Sequence, residues 1–334
     1  PRLFQLRGRV SGEIILSSRL IGLASLLAVS LSAIAQPYPN KPVRVVMPFP
    51  IGGPSDILGR AVAQKMGEQM NANFVPDNRP GAGGNLGLAL AAKAPADGYT
   101  LLVTSSSIAV SPWLYKKLDY DAEKDFAPIA RLAEIPNVLL VNPSVQAKTL
   151  KEFIALARTN PGKLNYGSGG AGTTNHLANE LLMSLEKINL VHVPYKGASV
   201  AVFSLISGEV DEVVVAVASS LTQIRAGKVR ALAVLSERRT PALPEVPTAK
   251  EAGVDHFVMP IWFGMFAPAK TSRELTGKLY AEVKKAMTAP DFKERLSAAG
   301  VEPWLGSPEE LAALVKSESA RYAAIIKRAG LKPE

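Results

Sequence analysis

The sequence predicts an α/β protein with two lobes, each a mostly parallel sheet flanked by helices. Short β-branched or apolar runs alternate with stretches whose apolar residues share one helical face, first from residue 43 and again from residue 149. Such alternation is typical of parallel strands joined by crossover helices. A long extended segment from Ala127 separates the two series, which indicates that the chain builds most of one lobe and then crosses to another.

The first 36 residues are predicted to be an export signal. Four arginines stand against one glutamate there, and an apolar run then ends in Ala33-Ile34-Ala35. A basic start, a short apolar core and an A-x-A pattern are typical of a secretory signal peptide. A membrane anchor is the alternative, but roughly 15 apolar residues are short for about 30 Å of hydrocarbon. We therefore expect export to a bacterial periplasm, with cleavage near Ala35 and Gln36.

The first lobe is predicted to begin with a strand, VRVVMPF, followed by a helix. In that helix Gly53 precedes Pro54, which places proline at the first helical position, where its missing N–H costs no hydrogen bond. Two further strands follow, at Phe74-Val75 and in YTLLVTSSS, with an alanine-rich helix between them that ends at Ala92.

The second lobe is predicted to repeat this alternation, and the chain then returns to the first lobe. Its elements are helix 149–158, strand 164–167, helix 174–186, strand 190–195, helix 198–207 closed by Gly208, strand 213–217, helix 220–226 and strand 229–235. The segment VDHFVMPIWFGMFAPA is interpreted as the return crossing, and two C-terminal helices pack back on the first lobe. The predicted division is therefore signal peptide 1–36, first lobe 37–133 plus 237–334, and second lobe 134–236, with crossings near 134–137 and 258–261.

Three loops share one design, in which a strand ends, several glycines follow and a helix begins. They are PIGGPSD from Pro50, GAGGN from Gly81 and GSGGAGTT from Gly167. A helix N-terminus offers unpaired N–H groups and positive potential, so it favours anions. In open α/β sheets such loops lie at the carboxyl ends of strands, where ligands bind. The serine run that starts at Ser105 ends another strand, and together these features predict a cleft lined with hydrogen-bond donors.

The same loops can also be interpreted as purely structural. Glycine-rich turns let a strand and a helix pack closely, and Thr173 or Thr174 then serves only as a helix N-cap. For one loop this interpretation would suffice. Three such loops in one chain favour the ligand-binding interpretation.

Nucleotide and catalytic sites are disfavoured by the same residues. The third loop matches G-x-G-x-x-G, but the next strand ends in Tyr195-Lys196, without the acidic residue that binds a ribose. No lysine precedes Thr173, so a Walker A loop is excluded, and no G-x-S-x-G is present. His176 is expected to be a surface or packing residue, and His192 a buried, hydrogen-bonded one.

Metal sites and nucleic-acid surfaces are disfavoured by composition. The chain has no cysteine, and its three histidines form no ligand pattern, so we expect neither a metal nor another cofactor. The net charge of +9 comes from scattered residues rather than a basic stripe, which argues against a nucleic-acid partner. A mildly cationic surface is still consistent with attracting small anions.

Six segments together resemble the substrate-binding proteins of tripartite tricarboxylate transporters, the Bug-type periplasmic receptors. They are YPNKPVRVVMPFPIGGPSDILGR, DNRPGAGGNLGLALAAKAPADGYTLLV, LNYGSGGAGTTNHLANELL, VHVPYKGASVAVFSLISGEVD, ALPEVPTAKEAG and WFGMFAPA. They run in family order from Tyr38 to about Pro268. The resemblance implies a type II-like Venus-flytrap fold and a monomeric receptor without enzymatic activity. Such a receptor closes over a small organic carboxylate and hands it to membrane permease subunits.

The resemblance also implies the ligand-binding residues, in two loops that hold one carboxylate partly through water. The set is Phe49, Gly52, Gly53, Ser55 and Asp56 from the first lobe, Ser168, Gly172, Thr173 and Thr174 from the second, and Ser105, Ser106 and Tyr195 facing the same cleft. Asp56 is expected to orient its loop, because a carboxylate facing a carboxylate ligand is unfavourable. The other end of the ligand is expected to meet residues around 106–113 and 195–199.

Two other functions remain open from the sequence. One is an α/β enzyme, a hydrolase or ligase relative, that acts on an anionic substrate. The other is a periplasmic sensor subunit that binds the same ligand and signals to a membrane kinase.

Overall fold

The computed structural model describes residues 38–170, 173–195, 197–298 and 300–333. The predicted export signal, its cleavage site and Gly172 lie outside these residues. The described chain contains two mixed sheets with helices on their faces, so the predicted α/β class is confirmed.

The first sheet has six strands in the spatial order β11-β4-β10-β3-β1-β2. These strands are β1 (Val43–Met47), β2 (Phe74–Asn78), β3 (Thr100–Ser105), β4 (Phe126–Ile135), β10 (Ile261–Pro268) and β11 (Glu302–Gly306). Strands β1, β2 and β3 are parallel, whereas β10 and β11 run antiparallel to their neighbours.

The second sheet has five strands in the order β7-β6-β8-β5-β9. They are β5 (Asn137–Val141), β6 (Asn165–Ser168), β7 (Val191–Pro194), β8 (Glu212–Ala216) and β9 (Arg230–Val234). Strands β6, β7 and β8 are parallel, and β5 is antiparallel to both β8 and β9. All five residues of β5 are buried, as are all five of β8.

The sheets are mixed rather than mostly parallel, and the crossing segments are the reason. Strand β4 passes into β5 through Pro136 alone, so the chain enters the second sheet from the first without a helix in between. The return segment gives β10, which pairs antiparallel with β4 over eight residue pairs. The parallel pairs lie within β1–β3 and within β6–β8, and in both groups helices join each strand to the next.

The point where the chain crosses between the sheets is held together by hydrogen bonds. The Asn137 side-chain amide donates to the Met259 carbonyl oxygen at 2.6 Å. The Leu235 N–H donates to the Asn137 carbonyl oxygen at 2.7 Å, and the Val217 N–H donates to that of Pro136 at 2.9 Å. The outgoing and the returning segments are thus joined directly.

Ten α-helices pack on these sheets within the part of the chain that the structure describes. They are α1 (Pro54–Met70), α2 (Asn85–Ala92), α3 (Ser107–Leu114), α4 (Leu150–Thr159), α5 (Thr174–Glu186), α6 (Ala198–Ser207), α7 (Val217–Arg225), α8 (Arg273–Thr288), α9 (Pro290–Ala298) and α10 (Pro308–Arg328). None of the described helices has the length and apolar character needed to span a bilayer.

Local sequence explains where helices α1 and α10 begin. Pro54 occupies the first position of α1, after an extended Gly53. Helix α10 begins with a capping box, in which the Ser307 hydroxyl accepts from the Glu310 N–H and the Glu310 carboxylate accepts from the Ser307 N–H. These signals fix where the two helices begin.

Candidate functional site

A cavity of about 480 Å³ is the candidate functional site. Its size is within the range of small-molecule sites. Loops and helices attached to both sheets line it: Phe49, Gly83, Ser105, Ser107, Val110, Ser111, Leu114, Tyr115, Gly169, Gly170, Thr173, Thr174, Asn175, His176, Ile261, Leu331 and Lys332. The lining thus combines apolar side chains with hydroxyl groups and the start of α5.

The N-terminus of α5 forms one wall of this cavity. Thr173 is the N-cap, since its Oγ1 accepts from the His176 N–H at 3.4 Å and donates to the Gly170 carbonyl oxygen at 2.8 Å. Thr174 and Asn175 begin the helix and line the cavity. The first N–H groups of a helix lack intrahelical partners and carry the positive end of its dipole. This wall is therefore suited to an anion.

The loop before α5 is supported from behind by Ser168. This side chain is fully buried at the end of β6. Its Oγ lies 3.1 Å from the Gly170 carbonyl oxygen, accepts from the Gly170 N–H at 3.1 Å and lies 2.7 Å from His192 Nε2. Gly170 has φ +124°, a conformation that L side chains rarely adopt. Ser168 therefore holds the shape of the loop, and it does not line the cavity.

A stack of three rings lies under the same loop. The His176 and His192 rings are 4.1 Å apart between centroids with an interplanar angle of 11°, and Tyr166 stacks on His192 at 4.8 Å. The Tyr166 hydroxyl donates to Glu180 Oε1 at 2.8 Å, and His176 Nε2 lies 3.5 Å from the same oxygen. The stack joins β6, β7 and α5.

The electrostatics of this stack favour a neutral His192. Burial and the neighbouring His176 ring lower the pKa of His192 to about 4, although Glu180 opposes this. Burial tends to raise the pKa of Glu180, but the hydrogen bonds from His176 and Tyr166 outweigh it and hold that pKa below its ordinary value. The stack therefore presents an uncharged imidazole to Ser168 at neutral pH.

The Asp56 carboxylate holds the loop before α1, where Ser168 holds the loop before α5. Asp56 is only 3% exposed; its Oδ2 accepts from the Gly52 N–H at 3.0 Å, and its Oδ1 accepts from Arg60 Nε at 2.8 Å and from Asn78 Nδ2 at 3.0 Å. Asn78 Nδ2 also lies 3.0 Å from the Phe49 carbonyl oxygen. Burial tends to raise the pKa of Asp56, but these hydrogen bonds lower it below its ordinary value. Asp56 thus orients its own loop.

The structure brings four of the twelve expected site residues into the cavity lining. They are Phe49, Ser105, Thr173 and Thr174. Seven do not line it: Gly52, Gly53, Ser55, Asp56, Ser106, Ser168 and Tyr195. Gly172 lies outside the described residues. Ligand binding by these twelve residues therefore stays a prediction.

The residues outside the cavity have structural contacts of their own. Ser55 donates to the Val103 carbonyl oxygen at 3.3 Å, and the Tyr195 N–H donates to the Ser168 carbonyl oxygen at 3.0 Å. Ser106 is 1% exposed at the start of α3. We infer that such residues shape the walls.

Some of the other lining residues were expected from the sequence and some were not. Helix α3 contributes Val110, Ser111 and Leu114, in or next to the segment expected near the ligand's other end. Leu331 and Lys332 come from the segment after α10, more than 150 residues from the start of α5 in sequence. No sequence signal placed them here, because only the packing of α10 on α3 and α5 brings that segment to the cavity.

The charge of the lining is one-sided. Among the described residues that line the cavity, Lys332 is the only lysine or arginine, and none is an aspartate or a glutamate. Together with the α5 N-terminus, this favours an anionic occupant over a cationic one. Among the described residues no group of three or more histidine, aspartate or glutamate side chains is placed to bind a metal ion.

The sequence as a whole is similar to one family of receptors. The model of the tripartite tricarboxylate transporter family receptor matches residues 58–331. A protein from the tcbD-tcbE intergenic region of Pseudomonas sp. strain P51 is 42% identical over 290 residues, which cover 86% of each chain.

Two solved structures extend the similarity to the fold. Rpa4515 of R. palustris, solved with adipate, has a TM-score of 0.81 at 34% identity, covering 89% of this chain and all of that one. MatC of Rhodopseudomonas palustris, solved with malate, has a TM-score of 0.74 at 33% identity, covering 86% of this chain and all of that one. Both matches extend across the two sheets described above.

Proposed function

The chain belongs to the tripartite tricarboxylate transporter family of receptors, and we propose that it captures a small organic carboxylate in the periplasm for delivery to a membrane permease. The observation that carries this proposal is the cavity in which the N-terminus of α5 faces a lining whose described residues include no acidic side chain. A carboxylate placed there meets N–H groups and hydroxyls and no opposing negative charge. The adipate and malate bound to the two similar proteins support the same ligand class.

We propose two kinds of contribution from the residues predicted in the site. Thr173, Thr174 and Ser105 contact the carboxylate directly or through water, while Phe49 packs against the ligand. Asp56 and Ser168 position the two loops through their hydrogen bonds to Gly52 and Gly170. Closure of the two lobes over the ligand, near residues 134–137 and 258–261, belongs to the same proposal.

Catalysis is not part of this proposal, although one pair of side chains has a spacing that is also found in serine enzymes. Ser168 Oγ lies 2.7 Å from His192 Nε2, as a serine nucleophile would. Ser168 is fully buried, however, and His192 stacks between Tyr166 and His176 instead of meeting a carboxylate that orients it. The pair is better suited to hold the loop.

A thermal-shift experiment tests the ligand class. The mature protein is heated with adipate, malate, hexanoate, the neutral amide adipamide and AMP. A bound carboxylate raises the melting temperature by about 5 °C at roughly 100 times its Kd, and adipamide gives no shift. The proposal is wrong if AMP stabilises the protein and no carboxylate does.

Export and delivery need separate measurements. Mass spectrometry of the protein recovered from the periplasm should give a mature chain that starts near Gln36. Uptake of a labelled carboxylate should require both this chain and the permease subunits. A receptor that signals to a membrane kinase would leave uptake unchanged when the chain is deleted.

A further inference from the structure

The segment that follows α10 is fixed in place by a helix-ending turn. Gly330 has φ +66°, and its N–H donates to the Lys327 carbonyl oxygen at 3.2 Å. The Leu331 N–H donates to the Ile326 carbonyl oxygen at 3.1 Å. These two bonds form a Schellman motif, which ends a helix and reverses the chain at a glycine. The residues after the helix are therefore directed by backbone hydrogen bonds.

An apolar contact secures the same turn. Leu331 is partly buried and packs against the core cluster that contains Ile326 and Tyr322. A hydrophobic contact of this kind commonly accompanies a Schellman motif. Leu331 also lines the cavity, and Lys332 lines it next to Leu331. The position of Lys332 thus follows from how α10 ends.

Lys332 is the one lysine or arginine among the described residues of the lining, and it is available to a ligand. Its side chain is exposed, and it forms no ion pair with a carboxylate among the described residues. An ammonium group without a protein carboxylate partner attracts an anion, although exposure to water weakens the attraction. The cavity therefore has two features that favour anions, the α5 N-terminus and Lys332.

Apolar side chains complete the lining. Val110 and Leu114 of α3 and the Leu331 side chain are part of it, and none of them can hydrogen-bond to a polar group of a ligand. Burial of methylene groups against such side chains is favourable, because it removes apolar surface from water. A ligand with a carboxylate at each end and an aliphatic chain in the middle matches this lining.

We propose that Lys332 binds the second carboxylate of a linear aliphatic dicarboxylate whose first carboxylate is held at the N-terminus of α5. This inference rests on the proposed function and adds to it a residue that determines specificity. A lysine acts here as a point charge at the end of a flexible chain. It selects for a second negative group and tolerates small differences in ligand length.

The test compares a dicarboxylate and a monocarboxylate of equal length on matched variants. Isothermal titration gives the Kd of adipate and of hexanoate for the unmodified protein, Lys332→Gln, Lys332→Arg and Lys327→Gln. Lys327 is an exposed lysine in the last turn of the same helix and does not line the cavity. The Lys327→Gln variant therefore removes the same charge and leaves the cavity intact.

We expect Lys332→Gln to weaken adipate binding about tenfold and hexanoate binding less than twofold. Lys332→Arg should keep most of the affinity for adipate, and Lys327→Gln should keep all of it. Raising the salt concentration should reduce the tenfold difference, because Lys332 is exposed.

The outcomes separate this inference from the proposed function. If the unmodified protein binds adipate and Lys332→Gln weakens adipate and hexanoate equally, or neither of them, the inference is wrong and the proposed function stands. The same holds if Lys327→Gln weakens adipate as much as Lys332→Gln does. If the unmodified protein binds no carboxylate in the panel described above, the proposed function fails and this inference fails with it.

Discussion

The loop before α1 and the loop before α5 have the same design in sequence but hold their shapes by different means. In the first, the Asp56 carboxylate binds the Gly52 N–H and is itself bound by Arg60 and Asn78. In the second, a fully buried Ser168 hydroxyl accepts from the Gly170 N–H and lies 2.7 Å from the uncharged His192 ring. A carboxylate that binds Arg60 supports the first loop, whereas a hydroxyl beside an uncharged imidazole supports the second, and each accepts from the N–H of a glycine.

The two loops also differ in how many of their residues line the cavity. Phe49 is the only residue of the 49–56 loop that lines it, while the second loop contributes Gly169, Gly170 and the first residues of α5. Glycine content alone therefore does not mark an anion site. The nearby side chains decide which amide groups stay available to a ligand.

The largest expected effect comes from removing the charged support of the first loop. Asp56→Ala leaves the Gly52 N–H without its carboxylate, and Arg60 and Asn78 lose an acceptor that is almost fully buried. We expect the free energy of unfolding to fall by about 3 kcal/mol, as measured by urea denaturation. The control is Asp119→Ala, which removes an exposed ion pair with Lys93 and should cost under about 1 kcal/mol. Equal losses in the two variants would contradict the support assigned to Asp56.

Acidification should weaken the support of the second loop at a higher pH than the support of the first. The pKa of His192 is about 4 in the folded protein, below its ordinary value of about 6.5. Between these values the unfolded chain binds more protons, so stability falls as the pH falls from about 6.5 to about 4, by about 2 kcal/mol. The pKa of Asp56 is lowered as well, so its contribution is lost only below about pH 4.

Urea denaturation at a series of pH values measures this separation. The His192→Gln variant should lose the slope between about pH 6.5 and 4, because the group that titrates there has been removed. His256→Asn replaces an exposed histidine with φ +63°, a backbone conformation that asparagine tolerates, and it should keep the slope. A slope that persists in His192→Gln would assign the titration to other groups.

The smallest expected effect concerns the cap of α5. Thr173→Ala removes the hydroxyl that accepts from the His176 N–H, and it should cost about 1 kcal/mol of stability. Ser307→Ala removes the cap of α10 and should cost a similar amount. Titration with adipate should distinguish them, because only Thr173 lines the cavity. Equal affinity in both variants would place Thr173 outside ligand binding.

Local signals made much of the fold predictable. The Gly53-Pro54 start of α1 follows from rules that involve only neighbouring residues. The end of α6 at Gly208, with φ +80°, follows from the same kind of rule. The helix predicted over 174–186 has the bounds that the structure gives to α5. The fold class followed from the alternation of strands and helices.

Contacts between distant segments were not predictable in the same way. The antiparallel pairing of β4 with β10 joins segments about 130 residues apart, and no local pattern gives their register. The rings of Tyr166, His176 and His192 come from three different elements, so no local pattern predicts their stack. The expected hydrogen bond of His192 is present, with Ser168 as its partner. Lys332 reaches the cavity only through the position of α10, which depends on packing.

Pro136 restricts the backbone torsions that can change at the crossing between the two sheets. A proline ring fixes φ near −65°, and the neighbouring residues are already held in strands and by the bond from Asn137 to Met259. We therefore expect the two sheets to rotate against each other by shared bending of several backbone torsions, without a free swivel at one bond. We expect such a crossing to be strained when the lobes close as proposed, and this strain favours reopening once the ligand has left.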